Sequence, residues 1–123
     1  MAISPQKSKI AKGKNYENLA ADYLIKNGYQ ILERNWRTGH LEIDLIAVRD
    51  NTIIFVEVKS SQSDKFGHPS ERINPKKKNN LYRAAQEYII GKNLEKHDFR
   101  FDAITFWKGK LEYYPDAFQM AEE

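Results

Sequence analysis

The sequence predicts an α/β domain: a mixed five-stranded sheet flanked by helices, in the order αβββαββ. Two observations carry this expectation. Apolar residues recur at helical spacing in two separate stretches, and five β-rich runs are divided by short turn signals. The length of 123 residues suits one domain with a core of its own. The expected boundaries are a flexible basic tail over 1–12, a single domain over 13–118 and a short C-terminal tail over 119–123.

In chain order, Tyr16, Leu19, Ala20, Tyr23 and Leu24 predict a helix from about Gly13 to Asn27, and Asn27-Gly28 supplies its stop. Tyr29 to Trp36 reads as a short strand and Thr38-Gly39 as a turn. Leu41 to Arg49 and Thr52 to Ser60 are β-rich, and Asp50-Asn51 between them suits a two-residue hairpin turn. Residues 61–75 are polar, contain Gly67, Pro69 and Pro75, and read as a long loop. A second helix is expected from Pro75 or Lys76, where proline fits the first turn, through Leu81, Ala84, Ala85, Tyr88 and Ile89 to Gly91. Phe99 to Trp107 and Leu111 to Tyr114 complete the set around a Lys108-Gly109 turn.

Composition removes several classes of chemistry. There is no cysteine, which excludes disulfides, thiolate zinc sites and cysteine nucleophiles. His40, His68 and His97 lack ligand spacing, so a histidine zinc site is not expected either. No apolar run nears the roughly 20 residues of a membrane helix, and the start has no apolar segment of the signal-peptide type, so a cytoplasmic protein is expected. The net charge of +3 and pI near 9.0 lean towards a polyanionic partner. Lys7, Lys9, Lys12 and Lys14 form one basic stretch, and Lys76, Lys77 and Lys78 another. For either cluster alone, solubility is the better account.

The hairpin carries the chemistry. With Asp50-Asn51 as the turn, Arg49 pairs with Thr52, which sets Asp44 across from Glu57 and Glu42 across from Lys59. Directly opposed residues have Cβ atoms about 5 Å apart. Alternation puts Glu57 and Lys59 on one face, so Asp44, Glu57 and Lys59 are expected to converge. Two adjacent carboxylates repel and resist desolvation. A cation relieves both effects, and two carboxylates with the Val58 carbonyl and waters suit Mg²⁺. Such an ion acidifies bound water and neutralises a phosphate oxygen, and Lys59 is placed to act on that water. The plain alternative is a salt bridge on a solvated sheet face. The apolar flanks Ile43, Leu45 and Ile46, and Phe55, Val56 and Val58, speak instead for inner strands. Glu17 lies on the stripe Glu17, Ala20, Ala21, Leu24, and is either a further acid of the cluster or a boundary residue favoured by the helix dipole. Asp102 either joins the acids or pairs with Arg100 or Arg34.

Lys76, Lys77, Lys78, Arg83, Arg37 and His40 are candidate phosphate contacts. Trp36 is expected at the edge of the core rather than stacked on a base.

The ordered segments Gly13-Lys14-Asn15-Tyr16-Glu17, Gly28-Tyr29, Asn35-Trp36-Arg37, Glu42-Ile43-Asp44-Leu45-Ile46-Ala47, Phe55-Val56-Glu57-Val58-Lys59, Phe66-Gly67-His68-Pro69 and Lys77 resemble the YraN-like family of small bacterial proteins, over about residues 10–118. The resemblance implies the restriction endonuclease-like fold of the PD-(D/E)xK superfamily, similar to archaeal Holliday junction resolvases. It implies that Glu17 matches the helical acid, Asp44 and Glu57 the metal ligands, and Lys59 the catalytic lysine. It further implies Mg²⁺ or Mn²⁺, DNA as partner, endonuclease activity and a homodimer. Ile43 stands where the superfamily motif has proline, and Ser61 where the family often has arginine. A non-catalytic nucleic-acid-binding module with a vestigial metal site is the rival reading, and a protein-interaction scaffold a third.

Overall fold

The computed structural model describes residues 7–61 and 75–118. Its elements are α1 (Lys7–Lys26), β1 (Gln30–Thr38), β2 (Leu41–Arg49), β3 (Thr52–Ser61), α2 (Pro75–Gly91), β4 (Asp98–Trp107) and β5 (Lys110–Phe118). The order αβββαββ is the one expected from the sequence. The segment read as a long loop lies outside the described residues except at its two ends, as do the C-terminal tail and the first six residues of the N-terminal tail.

The strands lie side by side in chain order, β1-β2-β3-β4-β5. All neighbours are antiparallel except β3 and β4, which are parallel. Parallel neighbours need a crossover, and α2 lies within it. β3 is central, and its run Ile53, Ile54, Phe55, Val56 is buried on both faces. One face carries α1: Ala20, Ala21 and Leu24 pack with Leu45, Ala47, Ile54, Val56, Ile104 and Phe106. The other carries α2: Leu81, Ala84, Ala85 and Tyr88 pack with Ile43, Ile46, Phe55, Phe101 and Ala103. Trp36 joins this second cluster edge-on to Tyr88, with ring centroids 5.1 Å apart, which is the core-edge role expected of it.

Several boundaries differ from expectation. The first helix begins at Lys7, ahead of Gly13, so it takes in half of the stretch assigned to the tail. β1 runs on to Thr38 and pairs it with Leu41, which moves the turn to Gly39-His40. β5 extends to Phe118, which anchors in the core against Phe101 and Tyr82. In the Asp50-Asn51 turn Asp50 alone takes a positive φ, of 55°. The Lys108-Gly109 turn has both residues at positive φ, 54° and 82°, which a tight hairpin of this twist requires and glycine supplies without strain.

Asp102 does not join the acids on β2 and β3. Its neighbours Phe101 and Ala103 face α2, so it faces α1, fully buried. Arg100 donates to both its oxygens, through Nε and Nη2 at 2.8 Å each, and the Asp116 backbone N–H donates to Oδ1 at 2.8 Å. The Tyr113 hydroxyl closes the set on Oδ2. This is the pairing with Arg100 weighed in the sequence, enlarged by a tyrosine. Removing the acid takes the shared acceptor away from a guanidinium, a hydroxyl and a backbone N–H at once, at about 3–5 kcal/mol in all. Asp102→Ala is therefore expected to lower unfolding free energy by that order, read by urea denaturation.

Candidate acidic site where two strands part

The β2–β3 ladder follows the expected register, from Arg49↔Thr52 to Leu45↔Val56, and stops there. Beyond it the strands keep different company. β2 continues along β1, with Ile43↔Trp36 and Leu41↔Thr38. β3 continues along β4, from Glu57↔Ala103 to Ser61↔Trp107. Asp44 and Glu57 sit at the point of parting.

The cause is local and sits in two strands at once. Ile43 packs on the α2 side but Leu45 on the α1 side, so the usual alternation fails at Asp44. In β1, Arg34 pairs with Leu45 and Trp36 with Ile43, which places Asn35 opposite Asp44. Asn35 holds φ at 51°, a left-handed conformation that asparagine tolerates better than most residues. Both strands turn over at one level, and the ladder on the β3 side opens.

Asp44 fills the opening with its side chain. Instead of a backbone pair, the Val58 N–H donates to Asp44 Oδ2 at 2.8 Å. A strand residue presents its N–H and C=O to the same edge, so the Val58 carbonyl also faces the β2 side. Glu57 shares the face of Ile53 and Phe55, that of α2, and its side chain is 4% exposed. Two ammonium groups meet at its Oε2: Lys77 from α2 at 2.7 Å and Lys59 from β3 at 3.4 Å. A cavity of about 330 Å³ opens over the acids, lined by His40, Leu41, Glu42, Asp44, Glu57, Lys76, Lys77, Asn80 and Leu81.

The electrostatics follow from burial and crowding. Desolvation, then the charge of Glu57, pushes the Asp44 carboxyl up to about 7, and Glu17 adds to the push. The Val58 N–H and Lys77 act the other way. Lys59 is lowered, first by burial and then by its neighbour Lys77, with Glu57 opposing. Burial also works against a charged Lys77, but hydrogen bonding and the charge of Glu57 carry it above the ordinary lysine range.

The expected residues thus fall into groups. Asp44, Glu57 and Lys59 come together, by strand parting rather than by the direct cross-strand pairing assumed. Glu42 does not oppose Lys59, because the ladder has ended; it pairs with Arg37 at 3.5 Å on the surface. Glu17 on α1 is half-buried and is felt by Asp44 as charge. It does not complete a three-acid cage: among the described residues, no three His, Asp or Glu side chains are gathered tightly enough to hold a metal. Of the candidate phosphate contacts, His40, Lys76 and Lys77 line the cavity, while Lys78 lies over the Phe118 ring and Arg37 and Arg83 are exposed outside it. Sequence reasoning missed Asn80, which lies three residues after Lys77 on the same helix face; the helical i,i+3 spacing is the signal that finds it. His68 lies outside the described residues.

A divalent cation suits this donor set. One carboxyl is held up near 7 by burial first and by its neighbour's charge second, and the ammonium of Lys77 already stands on Glu57 as a substitute cation.

Comparison with known proteins places the chain. The model of the uncharacterised protein family UPF0102 matches residues 16–106. A UPF0102 protein of Caldicellulosiruptor bescii is 50% identical over 97 residues, covering 77% of this chain and 81% of that protein. One from Chloroherpeton thalassium is 44% identical over 78% of this chain and 74% of its own length. One from a Sulfurihydrogenibium species is 38% identical over 91% and 97%. Among the described residues no helix is long and apolar enough to cross a membrane. The segments from Tyr16-Glu17 through Phe55-Val56-Glu57-Val58-Lys59 to Lys77 all fall inside the matched span, and the chain belongs to the uncharacterised protein family UPF0102, the YraN family.

Proposed function

We propose that this chain is a cytoplasmic endonuclease that needs Mg²⁺ or Mn²⁺ and hydrolyses phosphodiester bonds in structured or branched DNA. The observation that carries the reading is the meeting of Asp44 and Glu57 at the strand parting, with Lys59 on Glu57 at 3.4 Å. The resemblance to the PD-(D/E)xK superfamily supports it, as does the order αβββαββ.

Asp44, Glu57 and the Val58 carbonyl are the groups that would hold the ion, with Glu17 reinforcing the negative field from α1. The ion would supply positive charge against a phosphate oxygen and a more acidic water. Lys59 orients the attacking water and, once it has given up its own proton to solvent as its lowered proton affinity favours, takes the water's proton as a neutral amine. Water oxygen bonds to phosphorus in line with the departing 3′ oxygen; the P–O3′ bond breaks, its electron pair leaves with the 3′ oxygen, and that oxygen takes a proton from a solvent water, giving a 5′-phosphate and a 3′-hydroxyl. The ammonium of Lys59 then faces the charge that grows on the phosphoryl oxygens. His40, Lys76 and Lys77 meet the backbone at the cavity, and Arg37, Lys78 and Arg83 extend the basic surface. A homodimer fits the paired cuts of a branched substrate.

The second reading, a non-catalytic nucleic-acid-binding module, is favoured by one observation: an internal ammonium already neutralises Glu57. A panel of four-way junction, duplex and single-stranded DNA, with RNA counterparts, incubated with Mg²⁺, Mn²⁺ or EDTA, separates the two. The enzyme reading expects metal-dependent nicking of at least one branched DNA. Salt-sensitive binding with no cleavage of any substrate would establish the module instead.

A further inference from the structure

Lys77 does something a general phosphate contact does not. Its Nζ lies 2.7 Å from Glu57 Oε2, closer than the 3.4 Å of Lys59 to the same oxygen. It comes from a different element and from the solvent side: its side chain is 44% exposed, against 4% for Glu57. Its helix does not favour it there. Lys77 sits in the first turn of α2, which has no acidic residue, and the positive end of the helix dipole repels an ammonium. The acids of the sheet hold the group in place. Its neighbours divide: Lys76 lines the same cavity, while Lys78 lies against Phe118, 5.8 Å from the ring centroid.

We propose that Lys77 is an exchangeable counter-cation, which occupies the acidic site of the metal-free protein and is displaced by a divalent ion to contact a phosphate. The inference rests on the metal-site reading above and adds a coupling to it. A divalent ion on Glu57 removes the attraction that holds Lys77 and repels it. The side chain is 44% exposed, which gives it a way out to solvent. The freed ammonium then stands with Lys76 at a helix N-terminus, an end that favours anions. Metal and phosphate thereby strengthen each other's binding, and thermodynamic linkage requires the effect to be reciprocal. Lys59, held on the same strand as Glu57, stays.

The test uses Lys77→Met with Lys76→Met as the control for a lost positive charge beside the same cavity. Mn²⁺ affinity by calorimetry is expected to rise about tenfold in Lys77→Met and by under about threefold in Lys76→Met. Wild-type affinity for a labelled DNA four-way junction, read by fluorescence anisotropy, is expected to rise at least about fivefold when Ca²⁺ replaces EDTA. Most of that gain should vanish in Lys77→Met. Equal Mn²⁺ affinity in the two variants, with Glu57→Gln still abolishing binding, would overturn the exchange and leave the metal site standing. Absence of Mn²⁺ binding in the wild type and both variants would overturn the metal site and the exchange together.

Discussion

Lys59→Met is expected to slow metal-dependent strand cleavage by about 10²–10³-fold while leaving Mn²⁺ affinity within a few-fold of wild type. That range is typical for removing one group that stabilises transition-state charge, about 3–4 kcal/mol. The separation between rate and metal affinity follows from the geometry. Lys59 touches Glu57 from its own strand but does not line the cavity above the acids. Methionine keeps the length of the stem, and Lys77 still neutralises Glu57, so the fold tolerates the change. Glu57→Ala gives the contrasting pattern, because it removes both a metal donor and the anchor of two ammonium groups. Single-turnover cleavage beside calorimetric Mn²⁺ titration reads both. A Lys59→Met protein that cuts at the wild-type rate removes this residue from the chemistry.

The second large effect is on stability, and its sign runs against intuition. Asp44→Asn should make the metal-free protein more stable at pH 8, by about 2 kcal/mol or more. Burial and the charge of Glu57 raise the Asp44 carboxyl from an ordinary 3.8 to about 7. Between these values the folded chain binds a proton that the unfolded chain has released. Stability therefore falls as pH rises through that window, and the full loss is present above 7. Asparagine avoids the charge and still offers an oxygen to the Val58 N–H, which Asp44 accepts at 2.8 Å. Urea denaturation in EDTA at pH 8 and near pH 4 checks this: a gain at the higher pH that fades at the lower. Millimolar Mg²⁺ should then stabilise the wild type by mass action and leave Asp44→Asn unmoved. A loss of stability at pH 8 would show that the Asp44 charge holds the fold together.

Much of this arrangement was legible in the residues. Alternating and continuous apolar runs set five strands, and the Asp50-Asn51 turn fixed the register from Arg49↔Thr52 onward. Local rules extend only as far as the strands stay regular. The sequence carries no simple mark for the turn-over at Asn35 and Asp44, because it depends on two strands changing face together. The direct pairing of Asp44 with Glu57 was therefore too simple, although the two acids still meet. The place of Glu42 was lost for the same reason. The reach of Lys77 to Glu57 joins residues twenty apart in the chain, and only the packing of α2 over the sheet brings them together. The sequence left two places open for Asp102, and the structure settles it: Phe101 and Ala103 on either side of it face α2, so Asp102 faces the other way.

Anomalous diffraction from crystals soaked in Mn²⁺ tests the central claim most directly. The expected result is a manganese peak about 2.0–2.2 Å from an oxygen of Asp44 and one of Glu57, the usual range for a small divalent ion on carboxylate oxygen, with the Lys77 ammonium withdrawn from Glu57. A map with no peak between these two carboxylates, and Lys77 still seated on Glu57, would contradict it.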